Sequence, residues 1–223
     1  MNAESIAERA RKLVDVAMGR TYADLVIQTG QWVCVQSGEI IPDIDIAIID
    51  DRIAFVGEKA NHTIGGNTEV IDAAGRYLVP GLLDAHMHVE SGMITVTEFV
   101  RAVAPRGTTG IFIDPHEIAN VFGLKGVKLM ADEGDLQPIH VWVQVPSCVP
   151  SAPGFETSGA IITHQDVAEA MTWQNIIGLG EMMNFPGVAL SDKSVHAEMA
   201  ETVYANKTIG GHYPSPDLGL PFH

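Results

Sequence analysis

Val79-Pro80-Gly81-Leu82-Leu83-Asp84-Ala85-His86-Met87-His88 is an apolar run that closes on two histidines. It belongs to a nearly continuous apolar stretch over 77–85, the pattern of a strand buried on both faces, as in parallel sheets. His86 and His88 stand two apart, so on an extended chain both imidazoles leave on the same side. Two neutral imidazoles projected from the end of a buried strand make half of a divalent-metal site. Two histidines in a loop would spell the same letters, and the apolar run ahead of them favours the metal reading.

Downstream, apolar strands alternate with helical stretches. A strand over 108–113 is followed by a helix over 121–133, and a strand over 139–145 by a Pro/Ser/Gly loop and a helix over 164–173. Thr163 and Asp166 fit a capping pattern at the start of that helix. A strand over 176–181, a helix over 195–205 and a short strand over 208–211 complete the series. This alternation predicts parallel βαβ units in an α/β fold, a (β/α)8 barrel of which about five βα units are present. A closed barrel needs eight strands and typically ~250 residues, so the chain reads as an incomplete barrel.

Upstream, residues 4–18 read as an amphipathic helix with Ile6, Ala10, Leu13, Val14, Ala17 and Met18 on one face and Gly19 at its end. Short β-rich runs follow over 23–27 and 31–35, then a Ser37-Gly38-Glu39 turn. Ile44, Ile46 and Ile48 alternate with Asp43, Asp45 and Ala47, and Asp50-Asp51 turns the chain into a strand over 53–56. The pattern predicts a small β-sandwich with one polar face. Two domains are expected: the helix and sandwich over 1–76, and the incomplete metal-dependent barrel over 77–223.

The 223 residues are 46% hydrophobic and 18% charged, a core-forming composition. Thirteen basic residues against 28 acidic ones give a net charge of −15, which argues against nucleic acid as a partner because its phosphates would be repelled. No apolar run is long enough to span a bilayer, and the N-terminus lacks the basic and apolar regions of a signal peptide, so no membrane partner is expected. Cys34 and Cys148 lie far apart with no metal or redox spacing, which suits a reduced, cytoplasmic protein.

Pro80-Gly81-Leu82-Leu83-Asp84-Ala85-His86-Met87-His88 closely resembles the first-strand motif of the amidohydrolase superfamily, and the β-rich segment before it resembles the small sandwich domain of many members. Asp114-Pro115-His116-Glu117-Ile118-Ala119-Asn120, Gly178-Leu179-Gly180-Glu181-Met182-Met183-Asn184 and Gly211-His212 narrow the resemblance to the adenine deaminases. It extends over essentially the whole chain, but the family's sixth-strand histidine and eighth-strand aspartate have no counterpart. The resemblance implies hydrolytic deamination of adenine to hypoxanthine and ammonia by a metal-activated hydroxide. It further implies a binuclear divalent centre of Mn²⁺ or Fe²⁺, with Zn²⁺ as a further candidate, a small-molecule purine substrate and a homo-oligomer. Without the last strands the isolated chain is expected to bind metal poorly and turn over little.

Two rival readings stand beside this one. Another amidohydrolase, acting on cyclic amides or amino-sugar amides, would share His-x-His but not the Asp-Pro-His-Glu-Ile-Ala-Asn segment. A non-catalytic truncated fragment would leave strand edges unpaired and part of its core exposed. A different zinc-deaminase class carries His-x-Glu followed by Pro-Cys-x-x-Cys. His88-Val89-Glu90 meets only the first half, since Cys148 has no second cysteine near it.

The resemblance assigns His86, His88, Glu181 and His212 to the metals. An ionised glutamate on the otherwise apolar strand of Glu181 is costly unless coordinated, or paired with an arginine at the strand's wet end. His212, after a run ending in two glycines, would by itself read as a loop residue. Asp114 by local sequence is a fair helix cap. The resemblance instead places Asp114, His116 and Glu117 at the purine, for catalysis or substrate hydrogen bonding, with Glu117 as the proton carrier. Glu90 and Ser91 are further substrate-binding candidates. His62, His140, His164 and His196 read as structural or surface residues, and His223 receives no role.

Overall fold

The computed structural model describes residues 3–213. The chain divides into two compact units, 1–80 and 81–223.

In the first unit, α1 (Ala3–Ala17) lays Leu13 and the fully buried Val16 against a sheet whose core includes Val26, Ala47 and Ile49. Ile6, Val14 and Met18, expected on the buried face, are exposed, so the contact stripe is narrower than the sequence pattern implied. Where two strands were expected there is one, β1 (Leu25–Cys34), carried through an irregularity at Thr29, whose φ is +56°. β1 pairs antiparallel with β2 (Glu39–Ile49), which pairs antiparallel with β3 (Arg52–Gly57). β4 (Glu69–Asp72) and β5 (Tyr77–Leu78) run parallel to β1, so the segment expected as a sandwich is a single five-stranded sheet backed by α1. The polar face expected on β2 is covered at Asp45, which is buried and accepts the backbone N–H of Thr29 at 3.0 Å and of Ala60 at 2.9 Å. Satisfying two otherwise orphaned donors offsets the cost of burying that carboxylate.

The second unit is a five-stranded parallel sheet in the order β10-β9-β8-β7-β6, each strand beside its sequence neighbour. That singly wound order is the arrangement of the first units of a β/α barrel. β6 (Leu82–Met87) pairs with β7 and lies at one end of this order, with Leu82 and Leu83 58% and 61% exposed in this chain. α2 (Val96–Val103), which the sequence reading did not identify, follows β6 and buries Val96 and Val100. β7 (Thr108–Ile113) has the bounds read from sequence. The single helix expected after it is two, α3 (His116–Phe122) and α4 (Leu124–Gly134), broken at Gly123 with φ +59° and ψ −143°, a conformation that favours glycine.

β8 (His140–Pro146) leads to α5 (His164–Ala170), whose capping box forms as expected: Asp166 N–H donates to Thr163 Oγ1, and Thr163 N–H to Asp166 Oδ2. β9 (Ile176–Met182) is followed by α6 (Phe185–Ala189), a second helix missed in the sequence, then α7 (Lys193–Tyr204) and β10 (Thr208–Gly211). Ile111, Ile113, Val143, Val145 and Leu179 are completely buried with Met130 and Val167 of the helices. The opposite, inner face carries Phe112 stacked on Trp142 at 4.6 Å. Among the described residues no helix is long and apolar enough to cross a membrane.

Candidate metal centre

Glu181 is the hub of the inner face. Its Oε1 lies 3.0 Å from His86 Nε2 and 2.9 Å from His212 Nε2. Its Oε2 lies 3.2 Å from His88 Nε2 and 3.8 Å from His116 Nδ1. Four imidazoles from the ends of β6, β7 and β10 therefore surround one carboxylate of β9. No arginine among the described residues takes part, so the wet-end ion pair considered from sequence does not form.

Strict alternation would not put Glu181 there. Gly180 faces inward, toward Asp114 and Gln144, while Leu179 and Met182 are buried in the outer core. A flat strand would turn Glu181 outward with Leu179. Instead Glu181 adopts φ +37°, and the pairing with β10 slips a residue between Ile209 and Gly211. The left-handed residue acts as a bulge and re-aims the side chain inward.

His86 and His88 share a side, with Nε2 atoms 3.1 Å apart. His88 Nδ1 is 2.8 Å from the Asp114 carbonyl oxygen, a contact that leaves Nε2 free to face Glu181. Burial alone would depress His88, but the charges of Glu181, Glu117 and Asp114 hold its pKa above the usual histidine value. Burial would raise Glu181, but the hydrogen bond from His212 and the nearby His88 and His86 hold it below the carboxylate range.

Asp114 does not cap α3, contrary to its local sequence reading. It is completely buried, and neither carboxylate oxygen has a hydrogen-bond partner among the described residues. Burial, then the charge of Glu181, pushes its pKa up to about 8. His116 Nδ1 likewise lacks a hydrogen bond there, while its Nε2 lies 3.4 Å from Ser151 Oγ.

Glu117 opens α3 at the rim, accepting a hydrogen bond from Ser91 and standing 3.3 Å from His88 Nδ1. Burial favours its protonation, but the Ser91 hydroxyl, a backbone N–H and His88 outweigh it and lower the pKa. Glu90 Oε1 accepts the backbone N–H of Glu117 at 3.1 Å and of Ile118 at 3.3 Å, pinning the first turn of α3, while burial pushes Glu90 up.

The remaining histidines lie elsewhere. His62 Nε2 is 2.9 Å from the Ala17 carbonyl, His196 Nε2 is 3.1 Å from that of Val188, His140 stacks on Trp142, and His164 opens α5. His223 lies outside the described residues. Two residues gained no role from sequence: Ser151, beside His116, and Cys148, whose sulfur meets the turn after Glu181. Their only sequence signal was the Pro146-Ser147-Cys148 step at a strand end, the rim where barrel sites gather.

Two sets of ligand atoms gather within 4.8 Å of one another: His86, His88 and Glu181, and Asp114, His116 and Glu181. Imidazole nitrogens with carboxylate oxygens suit Zn²⁺, Mn²⁺ or Fe²⁺. The unpartnered Asp114 oxygens and His116 nitrogen are what a cation or a polar ligand would satisfy. The donor set therefore fits a divalent metal.

The profile of the amidohydrolase family matches residues 77–217, and the chain belongs to that family. It is similar to an adenine deaminase of Mesorhizobium japonicum, 68% identical over 216 residues, covering 97% of this chain and 36% of that protein. It is also similar to adenine deaminase 3 of Rhizobium meliloti, 64% identical over 217 residues with the same coverage. The chain thus spans about a third of the length of these curated relatives. Among solved structures, a putative prolidase of Bifidobacterium longum superposes with a TM-score of 0.56 at 18% identity, over 86% of this chain and 50% of that one. The β-aspartyl dipeptidase of Fervidobacterium islandicum gives 0.56 at 18%, over 87% and 52%. These two share the fold.

Proposed function

We propose that the site on this chain serves the hydrolytic deamination of adenine to hypoxanthine and ammonia. The observation that carries the proposal is the Glu181 carboxylate set among four imidazoles, with Asp114, Glu117 and Glu90 beside it. The similarity to two proteins named adenine deaminase supports the choice of substrate.

In this reading His86, His88, Glu181 and His212 hold a binuclear centre of Mn²⁺ or Fe²⁺, with Zn²⁺ as the alternative. When bound, such metals supply Lewis acidity and bring the pKa of a coordinated water toward neutrality. Glu117, ionised and partly open to solvent, is placed to carry a proton. Ser91 holds it by a hydrogen bond, and Glu90 fixes the helix turn it stands on. Asp114, whose two buried carboxylate oxygens have no partner among the described residues, and His116 offer hydrogen bonds to the purine ring. The balance is simple. Water adds across C6 and N1 of the ring, leaving one proton on N1. Its second proton leaves with the C6 amino group as ammonia. The working protein is taken to be a cytoplasmic homo-oligomer.

The test is ammonia release from adenine by the purified chain with Mn²⁺ or Fe²⁺, alone and fused to the C-terminal remainder of the Mesorhizobium relative. Adenine-dependent release that Glu181→Gln abolishes is expected from the fusion, with little from the chain alone. Hydrolysis of a cyclic amide with no action on adenine would overturn the assignment.

A further inference from the structure

The left-handed residue that aims Glu181 needs holding, because a non-glycine residue at φ +37° persists only where its surroundings over-determine it. Four hydrogen bonds do this. Ser147 N–H, just past the end of β8, donates to the Gly180 carbonyl at 3.2 Å. His212 N–H donates to the Met182 carbonyl at 3.3 Å. On the far side of the kink, the backbone N–H groups of Met183 and Asn184 both donate to the sulfur of Cys148, at 3.2 and 3.4 Å.

We infer that Cys148 is a positioning residue for Glu181: by taking these two backbone donors, its sulfur holds the turn that points the carboxylate at the histidines. β9 ends at Met182, so the next two N–H groups have left the strand ladder and need another acceptor. Cys148 is only 3% exposed, packing in the outer core on one side and lining a cavity of ≈ 480 Å³ on the other. A sulfur atom suits this position, being large enough to reach two adjacent donors and apolar enough to sit in that core. Besides these two donors the Cys148 sulfur meets the Ser147 hydroxyl at 3.3 Å, and among the described residues it forms no hydrogen bond with Glu181 or a histidine.

The inference rests on Glu181 being a metal ligand, so its test follows Co²⁺ binding by visible absorption to the chain fused to the C-terminal remainder of the Mesorhizobium relative, each variant being made in that fusion. Cys148→Ala is expected to weaken Co²⁺ binding about tenfold or more, the usual effect of removing an outer-shell support. Cys148→Ser, which keeps an acceptor, is expected to recover most of the loss. Exchange of the Met183 and Asn184 amide protons should accelerate in Cys148→Ala and slow again in Cys148→Ser. Val143→Ala, a core truncation on the strand that leads to Cys148, is the control for general destabilisation and should leave Co²⁺ affinity unchanged. If Glu181→Gln weakens Co²⁺ binding while Cys148→Ala does not, Cys148 has no positioning role. An equal loss in Val143→Ala would also overturn it, by reducing the effect to stability. If Glu181→Gln leaves Co²⁺ binding intact, the metal reading itself fails and takes this inference with it.

Discussion

Asp114 lays its carboxylate over the Cα of Gly180, in the space a Cβ at that position would need. The two residues sit on neighbouring parts of the inner face, 66 positions apart in the sequence (180 − 114). Only a residue without a side chain lets a carboxylate settle so close to β9 and so near Glu181. Gly180→Ala should therefore cost about 1–3 kcal/mol by overpacking. In an Asp114→Ala background the same change should cost at least about 1 kcal/mol less, because residues in contact do not behave additively. Urea denaturation of the four proteins completes the cycle, and strict additivity would mean that the two do not touch.

Glu198 makes stability depend on pH. It is 7% exposed on α7, borders a cavity of ≈ 480 Å³ with Ser147 and Ser194, and has a buried oxygen without a partner among the described residues. Burial, then the charge of Asp192, raises its pKa from 4.5 to about 8. Between those values the unfolded chain has released the proton while the folded chain keeps it, so the folded state binds more protons and stability falls as pH rises. Glu198→Gln removes this penalty. It should stabilise by about 2 kcal/mol at pH 8, less than for a fully dehydrated group because the carboxyl borders an open cavity, with the gain fading to nothing near pH 4. Urea midpoints at several pH values check this, and a gain independent of pH would refute it.

Thr163 and Asp166 each satisfy a backbone donor at the start of α5. Thr163→Ala should lower stability by about 1 kcal/mol, as is usual for loss of a cap, and Thr163→Ser should lose much less. Thermal unfolding monitored by circular dichroism distinguishes the two. Equal losses would assign the effect to the threonine methyl group instead of its hydroxyl.

Glu117 and Ser91 separate proton transfer from metal binding. If Glu117 carries the proton, Glu117→Gln should reduce adenine turnover by about 10²-fold or more while leaving bound metal unchanged. Ser91→Ala, which loosens Glu117 without removing it, should give a smaller loss. Steady-state rates measured alongside metal content are the check. Loss of metal in Glu117→Gln would make Glu117 a ligand and not a proton carrier.

Much of this was legible in one dimension. β7 and β10 have the limits their apolar patterns predicted, and Thr163 with Asp166 announced a cap that forms. The spacing of His86 and His88 placed two imidazoles on one side, where they stand. These are local properties, set by alternation along a strand or by a side chain reaching its own helix turn. Other readings failed for an equally plain reason. Local sequence alone would have allowed Asp114 to be a cap, the alternative to its place at the site, yet its carboxylate bonds no backbone donor and lies beside Glu181 and Gly180. The run over 77–85 looked like one strand, yet Tyr77–Leu78 pair with β1 and Leu82 begins a separate strand beside β7, a split set by which partner each half finds.

By itself, then, the sequence determined the parallel α/β class, the positions of most strands and the residue types able to gather at their ends, because hydrophobic period and short-range spacing act within a few residues. Only the tertiary structure decided that Glu181 turns inward against strict alternation, that four histidines from the ends of three strands meet it, and that Cys148 meets the following turn from the loop after β8. Those outcomes depend on contacts between residues dozens of positions apart, where the register of neighbouring strands, and no local preference, sets which side chains meet.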